Sequence, residues 1–460
     1  MTEKRYVIVK KDKGKFVWKF FCIFAVCYFM IDYRKYILSN GLTLLTHEAW
    51  DTPLATVNVM YNVGARDEDP QRTGFAHLFE HLMFGGTERV PDFDAVVSSL
   101  GGESNAFTNN DITNYYITLP VAGLPTALML EADRMGGLSL TPKALEVQQK
   151  VVTEEYNQRY MNQPYGDVWL LLRPLCYKKY PYRWATIGAD IRHVSEATLE
   201  DVKAFHERYY RADNAILAVA APMKHEEMVA MVEREWRVES EEWRTESGER
   251  REERCFARER MYPVEEEQRE ARRQEVRREV PADAVYLAWP MCDHFGDDFR
   301  ACDLLSDLLG TGHSSRIYNN IVREGRLVTE ADAYITGDAG PGLLVLSAKV
   351  KAGVDPDEVA EALRREAYKL TEERVDDYEL EKVKNRYEST FVYSQYKAAD
   401  RALALCQYTW LGDTERANRD AEDYRRVTAE QMQQAARHLF CPERENELIV
   451  RKGRGVMSDE

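Results

Sequence analysis

This chain of 460 residues is short of paired cysteines, of excess positive charge and of long apolar runs. The eight cysteines, Cys22, Cys27, Cys176, Cys255, Cys292, Cys302, Cys406 and Cys441, include no C-x-x-C pair. Thiols scattered so thinly argue against a disulfide framework and a cysteine zinc site, and read as free, mostly buried groups of a reducing compartment. Acidic residues outnumber basic ones, 78 to 62, for a formal net charge of -16. Phosphate backbones need a basic face, so nucleic acid is not an expected partner. An acidic interior would favour basic peptides, although solubility alone accounts for charge of this size. One apolar stretch stands out, residues 16–31 (FVWKFFCIFAVCYFMI), and Lys19 interrupts it. It falls short of the ~20 residues that a spanning helix needs, and Ala25-Val26-Cys27 is a poor leader-cleavage site. Three readings stay open: a membrane anchor, a signal peptide, or a start of translation at Met30. The third is preferred, because the first convincing strand opens soon after, at Tyr36. The expected compartment is cytoplasmic, with periplasmic or membrane-anchored as the alternative if residues 1–31 are translated and used.

Hydrophobic residues make up 44% and charged residues 30%, a globular balance. A length of 460 exceeds one ordinary core and implies two or more domains. Residues 37–45 read as two short strands around Asn40-Gly41, and residues 56–63 alternate like a half-buried strand. Residues 74–84 form an apolar run of helical length that Gly85-Gly86 ends. Further helices are expected over 91–100, 124–135, 142–160 and 199–209, with strands at 114–119 and 215–220. Interleaved strands and helices predict α/β or α+β layers. Dense mixed charge over 237–279 reads as a solvated connector with a short strand at its end. Residues 285–289 then reopen the same grammar. The expected division is an extension over 1–29, a first domain over 30–236, a charged linker over 237–279 and a second domain over 280–460. The two halves share a pattern, which suggests an old duplication with the chemistry kept in the first copy.

That chemistry centres on His77-Leu78-Phe79-Glu80-His81, inside the predicted helix. Positions i and i+4 share one helix face, with i+3 beside them. Two imidazoles there can share a metal while the carboxylate of Glu80 serves as general base toward an activated water. Zinc suits neutral imidazole ligands. A third protein ligand is needed, and the helix expected over 142–160 offers Glu154 and Glu155, each of which taken alone reads as part of a solvated face.

The H-x-x-E-H order is the inverted zinc motif of the inverzincins. Its surroundings resemble the pitrilysin family, which includes insulysin and the mitochondrial processing peptidase. The similar segments are Asn40-Gly41-Leu42, residues 64–68, residues 74–87, residues 102–108, residues 113–116, Val151-Val152-Thr153-Glu154-Glu155 and residues 312–318. The resemblance covers roughly residues 31–455, at the length of the family's half-size members. It implies a fold of two homologous domains, each a mixed sheet backed by helices, and a zinc endopeptidase acting on peptides or unfolded polypeptides. It also implies a homodimer, or a heterodimer with a homologous chain, enclosing a chamber. The family's third ligand is a glutamate about seventy residues after the second histidine; 73 residues separate His81 from Glu155, which is therefore preferred over Glu154. A further glutamate that the family often carries seven residues before that ligand, where it supports the ligand, is replaced here by Gln148. Asn105 and Ala106 match the edge strand on which the family lays an extended substrate. Arg323 matches an arginine that holds the substrate carbonyl. The companion tyrosine is replaced by Glu330, and Tyr334 stands near it out of register.

Overall fold

The computed structural model of the protein describes residues 30–242 and 253–453. The expected extension over 1–29, with Cys22 and Cys27, lies outside the described residues. Among the described residues, no helix is long and apolar enough to cross a membrane.

Two sheets organise the chain. The first contains β1 (Tyr33–Leu38), β2 (Thr43–Glu48), β3 (Leu54–Tyr61), β4 (Glu103–Thr108), β5 (Thr113–Pro120), β6 (Ala215–Ala221) and β7 (Ser240–Glu242) in the order β4-β5-β3-β6-β2-β1-β7. The second contains β8 (Arg272–Arg278), β9 (Ala284–Pro290), β10 (Val328–Ile335), β11 (Leu343–Val350) and β12 (Asn446–Lys452) in the order β10-β11-β9-β12-β8. Strands β2 and β6 run parallel, as do β8 and β12, while the pairings from β6 out to β4 and from β12 out to β10 are antiparallel. The second sheet thus repeats β2 to β6 in order and direction, and the expected α+β architecture of two related halves is the observed one. Strand β6, with the sequence AILAVAA, is wholly buried, as a central strand covered on both faces must be.

The helices of the first half are α1 (Phe75–Leu82), α2 (Phe93–Ser99), α3 (Leu124–Gly136), α4 (Pro142–Tyr156), α5 (Val168–Cys176), α6 (Leu199–Tyr209) and α7 (His225–Trp236). Those of the second are α8 (Phe299–Gly310), α9 (Pro356–Glu372), α10 (Asp377–Tyr393), α11 (Ala398–Trp410), α12 (Arg416–Arg426) and α13 (Ala429–Leu439). Each sheet packs its own helices on one face and borrows a helix from the other half for its second face. Leu405, Cys406 and Trp410 of α11 cover Met60, Ile216 and Ala218 of the first sheet. Val168, Leu172 and Cys176 of α5 cover Tyr286, Val345 and Leu448 of the second. Both faces of each sheet thereby lose water, and each half supplies part of the other's core.

The charged stretch 237–279 takes part in both sheets. It supplies β7 at one edge of the first and β8 at one edge of the second. Between them Phe256 and Ala257 are buried, and Arg260 pairs with Asp67 at 2.7 Å. Composition reads this stretch as a connector because β8 (RRQEVRR) is an edge strand with one solvated face, where charge also blunts further pairing.

Candidate metal centre

Helix α1 starts at Gly74, whose φ of +88° lies in the left-handed region. A side chain there would also meet Ile187 O at 2.7 Å and Val194 Cγ2 at 2.8 Å, so the entry is built for glycine. The buried carboxylate of Glu68 accepts the N–H groups of Gly74 and Ala76, both at 2.8 Å, and so satisfies two of the donors that a helix start leaves unpaired. Burial pushes its pKa up to about 8, against the pull of those two bonds. Phe75, Leu78, Phe79 and Leu82 face the core, with Phe79 stacked on Phe205 and Tyr210. A 3.6-residue period then turns His77, Glu80 and His81 to the opposite side.

Helix α4 brings the third group. Thr141 caps it by accepting from Ala144 N, and the Gln149 side chain pins it to the carbonyls of Val194 and Ala197, each at 2.9 Å. Leu145 and Val152 point into the core, which fixes the rotation of the helix. Glu155 consequently faces α1, whereas Glu154 is exposed and accepts from Gln158. Gln148 lies two turns before Glu155 on the same face. Beyond Tyr156 the helix widens into a π-helical turn, Asn157–Met161, a local irregularity that often marks functional sites.

The three side chains converge. His77 Nε2 lies 3.3 Å and His81 Nε2 3.2 Å from the same oxygen, Glu155 Oε2. One ligand atom from each falls within 4.8 Å of the others. Ligands about 2.1 Å from a tetrahedral zinc would be spaced ~3.4 Å apart, so two imidazole nitrogens and one carboxylate oxygen at these separations fit that ion in both chemistry and spacing. Their side chains are 12%, 23% and 17% exposed, which leaves an approach from solvent. Glu80 stands on the same side of α1, its Oε2 3.5 Å from His77 Nδ1. Burial raises its pKa, but the neighbouring imidazoles outweigh this and hold it below the usual carboxylate value. Burial likewise lowers the pKa of His77, and the carboxylates of Glu155 and Glu80 overcome that and raise it to about 9.

Strand β4 is one edge of the first sheet, with no strand beyond it among the described residues. The N–H of Ala106 donates to the side chain of Asn105 at 2.8 Å, and so points off that edge. Arg323 lies on a second π-helical turn, Tyr318–Glu324; its side chain is 61% exposed and pairs with the adjacent Glu324. Among the described residues, no hydrogen bond or ion pair joins Arg323 to the histidine–glutamate cluster. Glu330 sits on β10 directly opposite Lys349 of β11, a favourable cross-strand charge pair. Tyr334 packs beside Trp169 of α5, where burial pushes its hydroxyl up to about 12. Two residues escaped the sequence reading. Arg159 holds the other oxygen of Glu155, Oε1, at 2.8 Å, and Glu68 clamps the start of α1. The i, i+4 spacing of Glu155 and Arg159 was a readable signal; the long reach of Glu68 was not.

Comparison with known proteins gives two family matches. The model for insulinase (peptidase family M16) matches residues 43–171, and that for the peptidase M16 inactive domain matches residues 196–387. All members of the cluster fall within the first. The zinc protease PqqE of Helicobacter pylori is 29% identical over 397 residues, which cover 84% of this chain and 85% of that protein. The mitochondrial-processing peptidase subunit beta of Saccharomyces cerevisiae is 28% identical over 200 residues, 43% of each chain. The crystal structure of a protease from Helicobacter pylori superposes with a TM-score of 0.82 at 26% identity, covering 92% of this chain and 100% of that one.

Proposed function

We propose that the chain, which belongs to the insulinase family of peptidases (family M16), is a zinc-dependent endopeptidase of short or unfolded polypeptides. The observation that carries this reading is the convergence of His77, His81 and Glu155, with Glu80 beside them. In this reading His77 Nε2, His81 Nε2 and a Glu155 oxygen hold the ion, and Arg159 orients the carboxylate. Zinc in such a set supplies Lewis acidity and lowers the pKa of a water to ~7. Glu80 accepts the proton of the attacking water on a carboxylate oxygen and returns it to the leaving amine. The substrate backbone extends the sheet at β4, where Ala106 N–H turns from the Asn105 side chain to a substrate carbonyl. Recognition through main-chain groups tolerates many sequences and requires an extended, unfolded segment.

A second chain fits the same reading. Arg323 is solvated and Glu330 is matched with Lys349, so neither supports a developing oxyanion within this chain alone. We infer that a homologous chain, or a second copy, completes the carbonyl-holding side, and that a purely non-catalytic subunit has no use for the complete set of His77, Glu80, His81 and Glu155. The test is metal analysis of the purified protein beside digestion of a peptide library, alone and mixed with a homologous chain. One zinc per chain and cleavage of unfolded peptides are expected. A metal-free protein that cuts nothing in either state overturns the reading.

A further inference from the structure

The turns that close the two edge hairpins touch each other. Residues 109–112 join β4 to β5, and residues 336–342 join β10 to β11, the same hairpin in the repeated order of the second sheet. Asn110 Nδ2 donates to Asp338 Oδ1 at 2.6 Å, and the N–H of Ala339 donates to Asp111 Oδ2 at 3.0 Å. From the first half, Arg66 Nη1 lies 2.8 Å from Asp111 Oδ1, and Arg173 Nη1 donates to Asn110 Oδ1 at 3.1 Å. The Tyr182 hydroxyl donates to Asp111 Oδ1 and accepts from the N–H of Gly340 at 2.9 Å. Glycine makes the close approach possible: a side chain at Gly64 would meet Asp111 N at 2.5 Å, and one at Gly340 would overlap the Tyr180 hydroxyl.

This contact is not the most stable way to join two halves. Burial and the charge of Asp111 push the pKa of Asp338 up to about 6, and Asp338 Oδ2 is buried with no hydrogen-bond partner among the described residues. Apolar residues of similar volume would hold such an interface more firmly. What a directional polar contact supplies is one fixed arrangement of the groups it joins. Strand β4 is the element that gains from it. Backbone pairing restrains β4 from the β5 side alone, since no strand lies beyond it among the described residues. The turn at its end is therefore a main constraint on where Asn105 and Ala106 stand.

We propose that Asp338 is a positioning residue for the substrate: through Asn110 it fixes the β4–β5 turn, and with it the edge on which the peptide is laid. This rests on the reading of β4 as the substrate-binding edge. The second half, which adds no ligand to the histidine–glutamate cluster, thus acts on peptide binding through the tip of its own edge hairpin.

The test reads peptide binding apart from folding and metal. A dye-labelled Thr-Lys repeating peptide, whose β-branched threonines favour an extended chain, is titrated against the full-length Glu80→Gln protein. Asp338→Ala, Asp338→Asn, Asn110→Ala and Ala106→Pro are each made on that protein, and zinc content and thermal unfolding are measured beside affinity. Asp338→Ala should bind about tenfold more weakly, the scale of one hydrogen bond to a charged group, with zinc content unchanged. Asp338→Asn keeps an acceptor for Asn110 and should restore most of the affinity. Asn110→Ala should match Asp338→Ala, and the two combined should be no weaker than either, because both remove the same contact. With Glu80 restored, Asp338→Ala should raise KM about tenfold and leave kcat within a few-fold. A lower unfolding temperature with unchanged affinity would make the contact structural alone and overturns the proposal. Equal weakening by Asp338→Asn and Asp338→Ala overturns it also. Should Asp338→Ala fail to fold, unchanged affinity in Asn110→Ala overturns it. Ala106→Pro removes the N–H that β4 offers a peptide and so tests the underlying reading by itself. Binding lost in Ala106→Pro but unchanged in Asp338→Ala overturns the proposal and leaves β4 as the edge. Binding unchanged in both, or absent from the Glu80→Gln protein itself, removes the reading of β4 and the proposal with it.

Discussion

Arg159 Nη1 lies 2.8 Å from Glu155 Oε1, while the two imidazoles meet the opposite oxygen, Oε2. One carboxylate therefore has its two oxygens divided between an arginine and the candidate metal position. The arginine fixes the orientation of the carboxylate and costs no lone pair that the ion would use. Removing it as Arg159→Ala should weaken zinc binding about 10- to 100-fold, the usual effect of losing a group that orients a metal ligand. Competition with a zinc chelator measures this. Affinity equal to the parent's would assign the ion pair to the helix surface alone.

Glu154 and Glu155 differ by one position and about 100° of helix rotation. Glu155→Gln should remove most bound zinc, whereas Glu154→Gln should leave the content unchanged. Metal analysis of the two purified variants decides. Equal loss in both would mean that the helix is rotated differently in solution.

Glu80→Gln should retain zinc and lose peptidase activity by about 10²- to 10⁴-fold, the contribution typical of a general base. The amide keeps the shape of the side chain but cannot accept a proton. Activity within a few-fold of the parent would exclude Glu80 from the proton transfer.

The two carboxylates around His77 hold its pKa near 9 in the metal-free protein. Ligation requires the neutral ring, so below pH 9 each zinc must displace that proton. Apparent affinity should fall about tenfold per pH unit from this group as pH drops from 9 to 7, because the proton competes more strongly at lower pH. Zinc titrations across that range in a non-chelating buffer check the slope. A flat profile would mean that His77 is already neutral at pH 7.

Leu405 of α11 is fully buried against the first sheet. Leu405→Ala should cost about 2–5 kcal/mol, the range for emptying such a site. Since α5 and α11 exchange cores, both sheets should unfold in one transition, and residues 30–242 produced alone should aggregate through the face that α11 covers. Denaturation followed by tryptophan fluorescence and circular dichroism reads this. Two separate transitions would show that the halves are independent.

The sequence by itself determined most elements of the first half, though not helix α5 or strand β7, and the first part of the site. Helix α1 is legible because a 3.6-residue period places His77, Glu80 and His81 on one side and Phe75, Leu78, Phe79 and Leu82 on the other. Strands β1, β2, β3, β5 and β6 are legible because alternation and turn residues act over a few positions, whereas β4 came from resemblance. The choice of Glu155 over Glu154 came from resemblance, and the packing of Leu145 and Val152 turns that residue toward α1. Only the tertiary structure decided that α11 covers the first sheet and α5 the second, that Glu68 clamps a helix six residues on, and that Glu330 meets Lys349. The reason is the range of the forces. Periodicity and capping are written in neighbouring residues, whereas the partner of an apolar face is set by whichever distant surface also needs to leave water, and any face of matching shape satisfies the local pattern equally well.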